Sequence, residues 1–391
     1  MSSERFEVLI AGAGLPALAL APALARSGLS VALLDRAPIA TPDAASDTWD
    51  ARVYAISPGT AAFLQRIGAW QRLPIDRITA VETMHIEGDA DGRLQFSAYD
   101  LGERALAWIV EERALRAALL PAVHAADVRV MGEAQLMSLT WSTGAVALAL
   151  GDGRTLEARL MVGADGIRSW VRSAAGLVAE PRAYGQTAVV AHFACERAHH
   201  GGARQWFRAD GGVMAWLPLP DRRVSMVWSA PDAEAAELLA LSPEALALRV
   251  AAAGGHALGE LAPLGAASGF PLQYLRLPTS VAHRLALVGD AAHGLHPLAG
   301  QGVNLGFGDA EALSDVLADR GPVDDPGAPA LLTRYARRRA EPVLAMQAVT
   351  DGLARLFGAR MPWLRMLRNS GLSAVDRLPG IKRALAQPAL R

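Results

Sequence analysis

Two residue types are nearly missing from this chain of 391 residues: it holds one cysteine, Cys195, and one lysine, Lys382. A lone cysteine excludes an internal disulfide and a CxxC redox pair, and it fits a reducing compartment. A single lysine near the C-terminus leaves little for a Schiff-base or phosphate-loop mechanism. Net charge is also scarce: 38 Lys+Arg stand against 39 Asp+Glu, a formal balance of −1. That removes a global electrostatic reason to bind nucleic acid. No GxSxG elbow and no HExxH pair occurs, so hydrolase chemistry has little support. The run from Val8 to Ala25 has eighteen residues without a charge, yet Gly12, Gly14, Pro16 and Pro22 interrupt it and Glu4, Arg5 and Glu7 precede it. It reads neither as a membrane span nor as a secretory signal. With no targeting segment read, the expected location is the cytoplasm.

What is present is a chain 52% hydrophobic and 20% charged, the profile of a soluble globular protein with one large or two ordinary domains. Phe6 to Ala11 reads as a buried strand, Leu15 to Ser27 as a helix, and Ser30 to Leu34 as a second strand. Residues 79–98 read as a hairpin with GDADG (88–92) as its turn, and Glu111 to Val123 as a helix. Strands follow over 128–162. From Ala188 to Pro231 alternating segments such as GVMAWLPLP and RVSMVWS predict an antiparallel sheet. Leu285 to Val288 returns to the buried parallel pattern. Beyond Ala328 the chain is helical, with breaks expected at Pro342, Pro362 and Pro379. The expected fold is α/β: a Rossmann-like dinucleotide-binding domain, discontinuous over 1–75, 101–180 and 276–391, with a sheet-rich substrate domain from 76–100 and 181–275 and a helical C-terminus.

Three stretches carry chemistry. In the first, Gly12 makes a tight turn, Gly14 lets a pyrophosphate approach the backbone, and the small Ala17 lets helix and strand pack closely. Asp35, followed by Arg36, ends the next strand where an acid binds a ribose. The bland alternative is an ordinary strand–helix turn. The second stretch, Gly163 to Arg172, reads as a strand, a turn and a helix capped by Asp165 or Ser169. In the third, Asp290 follows Gly289 at the end of a buried strand, where a carboxylate can accept hydrogen bonds from a polyol. Gly300, Gln301 and Gly302 present backbone N–H groups, and the helix beginning near Val303 points its positive end back toward that loop. Such an arrangement suits a group that becomes anionic.

Together the three stretches resemble the flavin-dependent aromatic hydroxylases, the group that includes p-hydroxybenzoate hydroxylase, at Gly12-Gly14-Ala17, Asp165-Gly166 and Gly289-Asp290. The ubiquinone-biosynthesis hydroxylase branch is more similar still, at DARVYAISPGTAAFLQRIGAW (50–70), GADGIRSWVR, GDAAHGLHPLAGQGVNLG, YARRRAEP (335–342) and TDGLARLF (350–357). The resemblance implies FAD as cofactor. Arg52 would contact the flavin nucleotide, and Asp165, Gly166 and Arg172 would lie near the pyrophosphate and the nicotinamide donor's path. Asp290 would hold the ribityl chain, and Pro297 to Asn304 would border the isoalloxazine ring. One departure stands out: VEERALRAAL carries Glu112 where the resemblance leads one to expect Asn, Gln or Arg; Arg113 is a candidate substitute and that contact stays open.

The implied reaction is hydroxylation of an electron-rich, polyprenyl-phenol-like ring by molecular oxygen through a flavin hydroperoxide. The chain has no second GxGxxG unit, so the electron donor is NAD(P)H on a transient visit or a reduced electron-transfer protein. Trp206, Met214, Trp216, Leu217, Met226 and Trp228 are candidate substrate walls, against the plain alternative of core packing. No catalytic base is named by the sequence. His296 and Pro297 are the flavin-loop candidates, and His192, His199, His200 and His293 are the other histidines in suggestive segments. The adjacent pair His199-His200 has no third ligand nearby, so no metal is expected. Between Leu353 and Arg391 eight basic residues and one acid, Asp376, interleave with Phe357, Met361, Trp363, Leu364, Met366 and Leu367. This segment is either a lipid-facing surface on the inner side of a membrane or a helical cap on the first domain with its arginines outward. The alternatives to a hydroxylase are another flavin oxidoreductase and a non-catalytic FAD-binding subunit of a biosynthetic complex. Against a halogenase, the nearest string to its tryptophan motif is MAWLPLP, and no lysine precedes Lys382.

Overall fold

A computed structural model describes residues 4–42, 48–296, 298–321, 323–359 and 361–390. Among these residues the chain forms three sheets. The first has a parallel centre in the spatial order Leu285–Leu287, Thr155–Gly163, Glu4–Ala11, Val31–Leu34, Arg129–Met131. This order winds outward both ways from the first strand, as in doubly wound nucleotide-binding folds. Val8, Leu9 and Ile10 are fully buried there, which is why the strand reads as a continuous apolar run. The uncharged run from Val8 is thus a strand, a turn and the helix Leu15–Arg26. No helix among the described residues is long and apolar enough to cross a membrane.

The topology has a direct consequence for the site. The strands ending at Ala11, Gly163 and Leu287 are neighbours, parallel and in register at those ends. The three motifs therefore leave the same edge of the sheet side by side, where such folds bind ligands.

The second sheet has nine strands, among them Arg182–Cys195, Gly202–Phe207, Val213–Leu219, Arg223–Pro231 and Ser268–Arg276. Helices Asp232–Ala240 and Pro243–Ala253 cover one of its faces. The hairpin Thr83–Glu87 and Arg93–Ser97 extends its far edge, and Thr83–Glu87 pairs in parallel with Gly202–Phe207. A small sheet of Val53–Ile56, Ala107–Glu111 and Thr79–Val81 lies between the two large ones in the chain path.

Two expectations about the C-terminal part need correction. Pro342 does not break the helix, which runs unbroken over Pro329–Gly358. Residues 340–342 face solvent, so water can satisfy the carbonyl that a proline leaves without its donor. Pro362 and Pro379 do begin new helices, Pro362–Asp376 and Pro379–Leu390. These helices dock on the hairpin of the second sheet, and not all of their cations point outward. Arg368 is buried and pairs with Asp89 (2.5 Å), which also takes Arg365 (3.1 Å) and the Asn369 amide (2.9 Å). Asn369 in turn accepts from the backbone of Ala90 and Gly92, both at 3.2 Å. A side chain at Gly88 or Gly92 would strike Asn369, so the turn's glycines serve this close approach as well as the turn.

Candidate active site

The nucleotide turn is built by packing. Gly12 has φ +101°, and a side chain there would collide with the Ala164 carbonyl of the second motif. Pro16 touches the third motif: Cβ atoms built on Gly289 and Gly306 would come to 3.4 and 2.8 Å from its ring. The second and third motifs are tied by Arg172, whose buried guanidinium donates to the Ala291 carbonyl (3.0 Å) and to the Ile167 carbonyl (2.8 Å). Arg172 is therefore a strut within the site. The short helix after the second motif, Trp170–Ala174, has two caps: Ser169 Oγ accepts from Arg172 N and Asp165 from Val171 N. Gly166 takes φ +81° in the turn between.

These packed turns leave space and polar groups on their outer side. The atom nearest a Cβ on Gly14 is 3.9 Å away, in Pro16, and around Gly302 nothing lies within 4 Å. Helices Leu15–Arg26 and Gly302–Ala318 both start without a side-chain cap, so their first N–H groups are offered outward. Asp165 Oδ1 is sealed without a partner. Asp290 is accessible and makes no side-chain hydrogen bond among the described residues. Protein nonetheless crowds it on many sides. This burial pushes its carboxyl pKa up, while His293 and Arg52 pull it back. Accessibility and crowding together describe the floor of a cleft. Uncapped amides, uncrowded glycines and a free acid fit a dinucleotide joined to a polyol.

Comparison with known proteins agrees. A family model described as an FAD binding domain matches residues 5–351. The ubiquinone hydroxylase UbiL of Rhodospirillum rubrum is 36% identical over 388 residues, 98% of this chain and 89% of its own. The 3-demethoxyubiquinol 3-hydroxylase of Escherichia coli is 34% identical across 100% of both chains. This chain belongs to the FAD-dependent hydroxylases of ubiquinone biosynthesis. Among solved structures, PqsL of P. aeruginosa in complex with 2-aminobenzoylacetate matches it at TM-score 0.77 and 26% identity, covering 94% of this chain and 99% of PqsL. The p-nitrophenol 4-monooxygenase PnpA of Pseudomonas putida shares the fold at TM-score 0.78 and 17% identity, with 99% of each chain covered.

The hydroxylase is thus an FAD-dependent monooxygenase, and its remaining site residues can be placed. Ala17 is fully buried under the nucleotide turn. Asp35 clamps that turn, accepting from Ala13 N (2.7 Å) and Ala37 N (2.8 Å), and its carboxylate keeps further lone pairs. Arg36 is exposed. Arg52 pairs with Glu112 (3.3 Å), stacks on Phe270 of the second sheet at 4.9 Å, and lies near Asp290. Arg113, the candidate for the contact missing at 112, is engaged by protein groups. Its guanidinium is held by Glu111 (3.0 Å) and the Thr48 carbonyl, inside a cluster with Arg77. Instead Arg116, one turn further along the helix Glu112–Ala125, reaches the nucleotide turn and donates to the Ala13 carbonyl (2.7 Å). The i, i+4 spacing of Glu112 and Arg116 on one helix face was the available signal.

The third motif rests on residues that sequence reasoning missed. Asp309 is fully buried and accepts from Gly289 N (2.8 Å), His293 Nε2 (2.6 Å) and Arg339 Nε (2.6 Å). Burial alone would raise its pKa, but His293 and Arg339 outweigh it and the carboxyl stays below the usual range. Tyr335 donates to the Leu287 carbonyl (2.8 Å) from a fully buried position. Asn304 spends its amide on Val53–Ile56 and the residue after it, donating to Ala55 O (2.8 Å) and accepting from Ser57 N (3.0 Å). Gly300 takes φ +62°, Gln301 precedes the loop's helix without capping it and accepts from Asn304 (3.3 Å), and Val303 is partly buried in its first turn. Pro297 lies outside the described residues.

His296 ties the loop to the second sheet. Gln186 gives its amide N–H to the Gly211 carbonyl (3.2 Å), so its oxygen faces His296 and accepts Nε2–H (2.8 Å). Nδ1 is then an acceptor, sealed without a partner beside the Tyr184 ring at 5.0 Å. Burial holds this imidazole neutral, with a pKa lowered to about 4. His199 bonds to the Leu219 carbonyl (2.8 Å) and Gly201 N (3.1 Å), and among the described residues no cluster of three metal-ligating side chains forms.

The expected substrate walls divide by strand parity. Met214 faces Trp228 across the strands, Trp216 faces Met226, and Trp206 faces Met214. All five share the face covered by Leu238, Leu246 and Val250 of the two helices, where Met214, Trp216, Met226 and Trp228 are at most 1% exposed. They are core. Leu217 alone points the other way, toward Val53 and Ala55. That opposite face is the one joined to the flavin half, through Gln186 to His296 and through His192 to the Asp50 carbonyl (2.8 Å).

Proposed function

We propose that this hydroxylase inserts one oxygen atom of O₂ into an electron-rich, prenylated phenol ring held between the flavin loop and the flavin-facing side of the second sheet. The carrying observation is the accessible Asp290 beside the three converging motifs, near Arg52, which stacks on Phe270 of the second sheet. The names of two relatives, a ubiquinone hydroxylase and a 3-demethoxyubiquinol 3-hydroxylase, support the substrate class. Bound FAD supplies the oxygen-activating chemistry with two electrons from NAD(P)H or a reduced electron-transfer protein. Gly14, Asp35 and Arg116 shape the nucleotide end. Asp290 accepts hydrogen bonds from the polyol, and the first amides of Gly302–Ala318 offer positive potential to the ring. Arg52 reaches from the flavin half to the Phe270 ring and bridges the seam beside Asp290.

The test is direct. The purified protein should be yellow, oxidise donor faster when a prenylated phenol is added, and release a hydroxylated product. A yellow protein whose donor oxidation never couples to product would favour an accessory FAD-binding subunit.

For partners, the reading is a peripheral contact with an anionic membrane surface, from which a prenylated substrate is drawn. It rests on Trp363 (59% exposed), Met366 (71%) and Leu367 (59%), which share the outer side of helix Pro362–Asp376, opposite the buried Arg368 and Asn369. Met366→Glu with Leu367→Glu should abolish co-sedimentation with anionic liposomes. Unchanged sedimentation would remove the membrane contact and favour assembly with other biosynthetic proteins at that patch.

A further inference from the structure

The flavin-facing side of the second sheet is not packed evenly. At one end Leu217, Ala203 and Leu219 meet Val53, Ala55 and Ile109 of the flavin half. At the other end Phe207 and Val213 meet Leu298 of the flavin loop and Phe357 of the long helix. Between these two seams lies a row of small side chains, Val190, Val227 and Ala215, with Ala188 in the next row beside Ser229. Ala215 and Val227 lie on interior strands, covered by helices on their other side, and still keep accessible surface. Open surface at a sheet's centre, between two apolar seams, marks a slot.

Two polar side chains frame that slot. Gln205 faces Ala215 across the strands, and Ser229 faces Ala188 and Val213. Both are buried, at 5% and 4% exposure, and neither makes a side-chain hydrogen bond among the described residues. Neither belongs to the polar atoms sealed without a partner, so both open onto the slot. Native proteins rarely leave an amide and a hydroxyl idle at such depth. The two residues stand two strands apart and two residues out of register, about 12 Å on a regular sheet, with Val213 and Ala215 on the strand between them. That separation accommodates one substituted aromatic ring.

We propose that the Gln205 amide and the Ser229 hydroxyl recognise oxygen substituents on the substrate's ring, and so determine which phenols are accepted. Gln205 can donate and accept, which suits a phenol hydroxyl or an ether oxygen. Ala188, Val190, Ala215 and Val227 give the ring a flat apolar bed. This assignment rests on the hydroxylation reading above.

The experiment compares holoenzyme with Gln205→Leu, the isosteric Gln205→Glu, Ser229→Ala and, as a control on the helix-covered face, Trp206→Phe. Flavin content, visible spectrum and Tm report folding. The probes are 2-geranylphenol and 2-geranyl-6-methoxyphenol. Gln205→Leu should raise KM about tenfold or more, lower the product formed per donor oxidised, and shift the preference between the probes. Ser229→Ala should do so less, and Trp206→Phe not at all. If Gln205→Leu loses flavin, Gln205→Glu keeps the shape and carries the same comparison. Wild-type turnover with unchanged KM, coupling and probe preference in the Gln205 and Ser229 variants overturns the assignment and leaves the hydroxylase reading standing. A wild-type holoenzyme that hydroxylates neither probe overturns both.

Discussion

Asp309 and Asp290 belong to the same stretch of chain and meet opposite fates. Asp309 sits in a region where every donor is matched: Gly289, His293 and Arg339 converge on it, and its pKa is held down. Asp290 sits where nothing is matched, with an accessible carboxylate and a raised pKa. The second sheet repeats this division. Its helix-covered face is filled by Met214, Trp216, Met226 and Trp228, while its flavin-facing side carries small residues and the idle Gln205 and Ser229. Satisfied polar groups and dense packing make scaffold. Unsatisfied ones, maintained by that scaffold, make a binding site.

Several substitutions would break this contrast if it were false. Asp309→Ala should be the most damaging, because it empties a fully buried site and strands the largely buried Arg339 guanidinium: about 3–5 kcal/mol lost in denaturant unfolding. A loss under about 1 kcal/mol would contradict its scaffold role. Trp228→Ala should cost about 3 kcal/mol or more through the cavity it leaves, with KM for any phenol unchanged in the protein that remains folded. A selective rise in KM would return that tryptophan to the substrate wall. Asp290→Asn should leave apoprotein stability equal or slightly raised, since it removes a charge that burial disfavours, and weaken FAD binding about tenfold by equilibrium titration. In wild type that affinity should fall as pH drops through the raised Asp290 pKa, and the variant should lack this dependence. Undiminished affinity would mean the free acid holds no polyol. The smallest effect concerns His296. Its folded pKa of about 4 lies below the ordinary 6.5, so the unfolded chain takes up a proton that the folded one refuses. Stability should therefore be full above pH 6.5 and decline between 6.5 and 4, by about 1 kcal/mol at pH 5.5. His296→Gln should flatten that segment of the profile, and an identical slope would show the imidazole to be less enclosed than described.

The amino-acid order by itself determined the features that depend on neighbouring residues. The glycine spacing at 12 and 14, the acid at 290, the GDADG turn and the alternating strands of the second sheet follow from local backbone geometry and short-range periodicity. So does membership of the family, since its motifs are local. Tertiary structure decided which of two alternating faces became core. Alternation tells that Trp216 and Leu217 point apart, but only the later helices Asp232–Ala240 and Pro243–Ala253 select the side they cover. It also chose the partners of charges far apart in sequence: Arg339 for Asp309, Arg116 for the nucleotide turn, Arg368 for Asp89. An ion pair has no sequence period, so its existence becomes visible only when the fold brings its two halves within hydrogen-bonding reach.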